Sequence, residues 1–62
     1  MSEQRVTVTM PAPVTRRGRT QWVVTVRYGA RVNHERFPAH KRVDADAFVE
    51  RLVDEGAELI AR

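Results

Sequence analysis

Nothing in this chain restricts its fold as strongly as residues 21 to 37. Gln21-Trp22-Val23-Val24-Thr25-Val26-Arg27-Tyr28 is rich in β-branched and aromatic residues, and Trp22, Val24, Val26 and Tyr28 form an apolar alternation. Gly29-Ala30 interrupts it, and Arg31-Val32-Asn33-His34-Glu35-Arg36-Phe37 follows. A period of two broken at a glycine is the pattern of a strand, a tight turn and a second strand. The only Trp and the only Tyr lie on the alternating face, so this ribbon is expected to carry the core.

Turn length decides which side chains of the second strand meet that core. A two-residue turn led by Gly29 suits a type II′ hairpin and sets Trp22 opposite Phe37. It also turns Asn33 and Glu35 toward the core side, which an edge strand tolerates because polar groups there reach water. A three-residue turn would bring Val32, His34 and Arg36 inward and expel Phe37. The two-residue turn is the expected one.

Upstream, Arg5 to Met10 alternates, with Val6, Val8 and Met10 on one side, and reads as a half-buried strand. Pro11-Ala12-Pro13 should halt regular pairing, since neither proline donates to a ladder. Residues 11–20 form a basic loop. Either Arg17-Gly18 turns a long hairpin there, with Gly18 at positive φ, or the segment is a mobile arm; the sequence leaves both open.

Downstream, Phe37-Pro38 closes the third strand and Ala39 to Arg42 is a basic connector. Asp44 has the character of a helix N-cap, with Asp46 in the first turn where the dipole favours negative charge. Val43 and Phe48 have the spacing of a hydrophobic staple. Ala45, Phe48, Val49, Leu52, Val53, Leu59 and Ile60 recur at three and four, predicting a helix over about 45–60. Gly56 on that stripe costs about 1 kcal/mol relative to alanine. The expected fold is α+β: a three-stranded antiparallel β-meander (about 5–10, 21–28 and 31–37) packed on one C-terminal α-helix, a single domain over residues 1–62.

A 62-residue chain buries only about 60% of its unfolded surface. It has no cysteine and two histidines, so neither disulfides nor a structural zinc is expected to reinforce it. An efficient core or homodimerisation is what remains. No apolar run reaches the ~18 residues of a membrane span, and Met1-Ser2-Glu3-Gln4 lacks a signal pattern. The expectation is a cytoplasmic protein with no membrane association.

Charge is the most informative quantity. Residues 1–43 carry nine Lys/Arg against Glu3 and Glu35, a net of +7, whereas residues 44–62 carry six acids against Arg51 and Arg62, a net of −4. A basic half joined to an acidic half points to a polyanion ligand. In the expected register the outer sheet face presents Arg5, Thr7 and Thr9, then Gln21, Val23, Thr25 and Arg27, then Val32, His34 and Arg36. Guanidinium groups there suit phosphates and guanine edges because they donate two parallel hydrogen bonds. The candidate nucleic-acid contacts are Arg5, Arg16, Arg17, Arg19, Arg27, His34, Arg36, Lys41 and Arg42. The expected partner is DNA, with RNA not separated from it. The rival is a non-enzymatic protein-interaction or inhibitor module that binds an acidic protein or a second copy of itself.

Trp22, the Gly29 turn, Phe37 and the short connector into an amphipathic helix resemble the N-terminal DNA-binding domains of phage-type tyrosine integrases, related in fold to plant AP2 domains. That resemblance covers Gln21 to about Leu52 and implies that Arg27, His34 and Arg36 face a DNA groove. The Pro38–Val43 link and the Pro11–Thr20 segment are longer than the family pattern. The Val-Thr-Val-Thr start, hairpin and helix are also similar to the dimerisation domain of actinobacterial nucleoid proteins of the Lsr type, which would imply protein association instead.

Catalysis finds no support in the residues. His34-Glu35 and His40 mimic a zinc-protease helix, but the second histidine is wrongly spaced and Pro38 intervenes. The glycines are scattered, and no cofactor is implied. Glu50, Asp54 and Glu58, four apart, read as a solvated helix flank rather than a cation site.

Overall fold

The computed structural model describes residues 5–60; Met1–Gln4 and the last two residues of the expected domain lie outside them. Five strands and one helix follow in the order β1 Val6–Thr9, β2 Ala12–Arg16, β3 Arg19–Tyr28, β4 Arg31–Pro38, a 3-10 turn at Ala39–Lys41, α1 Arg42–Asp54 and β5 Glu58–Ile60. No helix among the described residues is long and apolar enough to cross a membrane.

β3 is the spine of the sheet. β4 pairs antiparallel along one edge, from Tyr28↔Arg31 to Gln21↔Pro38. Gly29, at φ 59°, leads the two-residue turn, and Trp22 lies opposite Phe37 as expected. The other edge of β3 is shared, with β1 pairing Val6↔Tyr28 to Val8↔Val26 and β2 pairing Ala12↔Val23 to Arg16↔Arg19. The meander is therefore present, but its first position is filled by two strands. β5 adds a fifth, parallel to β1, through Thr7↔Glu58 and Val8↔Leu59.

The prolines do not end pairing; they shift it. Between Val8↔Val26 and Ala12↔Val23, Thr9, Met10 and Pro11 face only Val24 and Thr25. One extra residue is a β-bulge, which reverses the facing of all that follows. The Thr25 amide donates to Thr9 Oγ1 at 3.1 Å, so a side chain fills the gap in the ladder. Pro13 is tolerated because β2 is an edge strand. Residues 11–20 are thus not a loop but an exposed hairpin arm. Arg17 (φ 52°) and Gly18 (φ 74°) form its two-residue turn, with both φ values positive as in type I′.

The helix is shorter than the apolar stripe predicts and starts earlier. Asp44 sits inside the first turn, while Lys41 holds the N-cap position without a side-chain hydrogen bond. Val43 is 78% exposed and makes no staple; Phe48 instead packs on Phe37, ring centroids 5.8 Å apart. At the other end the Ala57 amide bonds to the Leu52 carbonyl (2.9 Å) and the Gly56 amide to the Val53 carbonyl (3.0 Å). That is a Schellman termination with Gly56, at φ 109°, in the left-handed position that glycine suits. Leu59 and Ile60 accordingly belong to β5, and Glu58 does not continue the acidic flank of Glu50 and Asp54.

α1 packs on one sheet face. Val8, Val24, Val26, Ala45, Val49 and Ala57 are buried between them, framed by Val6, Trp22, Phe37, Phe48 and Leu52. Tyr28, expected in this core, is at its exposed rim.

Candidate nucleic-acid interface

Residues directly paired across a sheet point to the same face. Since Val24 and Val26 face the helix, Arg27, Thr25, Val23, Gln21 and Arg19 face away from it. Their partners follow them: Val32 beside Arg27, His34 beside Thr25, Arg36 beside Val23 and Arg16 beside Arg19. The structure thus gathers Arg16, Arg19, Arg27, His34 and Arg36 on one face, and Arg17 at the tip of the arm that extends it. Thr25 Oγ1 lies 3.1 Å from His34 Nδ1, which fixes the imidazole against the sheet between Arg27 and Arg36.

The arm is exposed along its whole length: every residue from Ala12 to Thr20 is open to solvent. Near its tip Arg16, Arg17, Arg19 and Gln21 line an open concavity of about 600 Å³. Gln21 was absent from the candidate contacts; its spacing of two from Arg19 along β3 is the signal that places it there.

Three of the candidate residues stand apart from that group. Lys41 pairs with Asp44 at 4.0 Å. The Arg42 guanidinium stacks over the Trp22 ring, 4.7 Å from its centroid, and its Nε is 3.9 Å from Asp46. The same indole donates from Nε1 to the Ala39 carbonyl at 3.1 Å. Lys41 and Arg42 therefore serve the helix side. Arg5 borders a concavity shared with Glu55 and Glu58, at the acidic end of α1.

These are the two ion pairs among the described residues, so the guanidiniums of the outer face and arm have no carboxylate within pairing distance there. Asp44, Asp46, Glu50 and Asp54 all lie on α1, behind the sheet. One acid joins the outer face: Glu58 stands beside Thr7. It is two strands from Arg27, roughly 9–10 Å at ordinary strand spacing. The basic surface is therefore bounded by β5 and spans β3, β4 and the arm.

Comparison with protein-family models, with curated proteins and with solved structures finds no match for this chain.

Proposed function

We propose that this protein binds duplex DNA through the outer faces of β3 and β4 and the β2–β3 arm. One observation carries the reading. Arg16, Arg19, Arg27 and Arg36 share one side, extended by Arg17 at the arm tip, without acidic partners among the described residues, while the helix keeps its carboxylates on the other. A polyanion is attracted by the first surface and repelled by the second, which orients docking as well as driving it. Phosphates would be held from the arm, with His34 approaching sugars or base edges and Arg27 and Arg36 doing so two ladder positions to either side of it.

Titration of a fluorescent duplex at two salt concentrations tests this. The logarithm of the association constant should fall with log salt at about −0.9 per phosphate engaged. Arg27→Ala and Arg36→Ala should each weaken binding several-fold, whereas Arg42→Ala, whose side chain is occupied by Trp22 and Asp46, should leave affinity unchanged. No binding at ~50 mM salt would overturn the proposal in favour of an acidic protein as the partner of the same face.

A further inference from the structure

The arm tip is built against its own stability. A type I′ turn needs positive φ at both central residues and favours Asn-Gly. Gly18 meets that demand, but Arg17 occupies the first position at φ 52°, where its Cβ crowds the backbone as in any L-residue so placed. Immediately before and after the turn, Arg16 and Arg19 are directly opposed. Like charges so placed repel across the strands, with Cβ atoms about 5 Å apart. No carboxylate among the described residues relieves them, and Arg16 to Arg19 are all exposed. Beside the backbone ladder, the side-chain contact next to the tip among the described residues is Thr15 Oγ1 with Thr20 Oγ1 at 3.1 Å. Folding gains nothing from three arginines at such positions.

We propose that the arm tip is a phosphate clamp, in which Arg16 and Arg19 flank one backbone phosphate of a duplex and Arg17 closes over it from the apex. The inference rests on the DNA-binding reading and assigns this part of the surface to the phosphate backbone rather than to base edges. An anion between Arg16 and Arg19 turns their repulsion into two charge-assisted contacts. The Gln21 amide, which lines the same concavity, supplies a further donor.

Arg17→Asn separates the clamp from the fold, because Asn-Gly is the better turn. The variant should melt at a higher temperature than the wild type yet bind duplex about tenfold more weakly at ~50 mM salt. The loss should be equal across duplexes of unrelated sequence, and the salt slope should shrink by about 0.9. Arg17→Lys, which keeps the charge, should retain the wild-type slope. Unchanged affinity and slope in Arg17→Asn would overturn the clamp while leaving the DNA reading intact. A loss confined to particular sequences with the slope unaltered would also overturn it, in favour of base contact. Absence of binding by the wild-type protein would defeat the DNA reading itself.

Discussion

Trp22 illustrates how a single side chain fixes several others. Its ring is half-buried against the core, its Nε1–H holds the Ala39 carbonyl and its face carries the Arg42 guanidinium. One residue therefore ties β3 to the turn before α1 and removes Arg42 from the basic surface. Removing the guanidinium in Arg42→Ala should cost about 0.5–1 kcal/mol by urea denaturation, the range for an exposed cation–π contact. Gly56 is the other residue on which the layout depends. A Cβ there would meet nothing within 4 Å, yet the backbone sits at φ 109°. Gly56→Ala should therefore lose about 1–2 kcal/mol from backbone strain alone, measured by urea denaturation. An unchanged midpoint would show that the chain can end α1 without this termination. The sequence marks Gly56 as an irregularity in an apolar stripe, but not its meaning. Spacings of three and four continue past it to Leu59 and Ile60 by coincidence of composition, and only the Schellman hydrogen bonds distinguish a stop from an interior glycine.

Among the elements, those whose pattern is carried by many residues were legible. The alternation of Trp22, Val24 and Val26, with one glycine at the break, was enough to place β3, β4 and their register. β1 was equally plain. What escaped was decided by non-local pairing. β5 is a three-residue strand with no periodicity of its own, held only because β1 offers it a free edge. β2 was legible as one of two readings, a hairpin turning at Arg17-Gly18 or a mobile arm, because Pro11 and Pro13 show lost donors but not that the strand lies on an edge where one is not needed. The bulge joining β1 to β2 is the least legible and the most consequential. Had Thr9 been followed by regular pairing, Ala12 and Val14 would face the helix and Arg16 with them. The extra residue turns Arg16 to the outer face beside Arg19. Thr9 Oγ1 secures that step by accepting the Thr25 amide. Thr9→Val keeps the shape and removes the acceptor, so it should destabilise the protein by about 1–2 kcal/mol and raise amide exchange at Thr25. Wild-type protection at that amide would show that another acceptor replaces the hydroxyl.

At the scale of the whole molecule, the arm makes the protein long. It measures 46 × 21 × 16 Å with a radius of gyration of 12.4 Å, against roughly 10–11 Å for a compact chain of this length. Among the described residues those that are buried are all valine or alanine, so few large side chains contribute to the core and the folded state is expected to be only modestly stable. Modest stability makes ligand linkage easy to see. A ligand that binds only the folded form stabilises it by about 2.7 kcal/mol at a hundred times its Kd. In a domain of this size each kcal/mol moves the midpoint by about 4–8 °C. Saturating duplex should therefore raise the melting temperature by about 10–20 °C, followed through the emission of Trp22, the chain's only tryptophan. Because the stabilisation comes from guanidinium–phosphate contacts, added salt should return the midpoint toward that of the free protein. An increase that persisted undiminished at high salt would mean that the duplex is held by something other than the basic face, and no increase at all would mean that the folded form does not bind it.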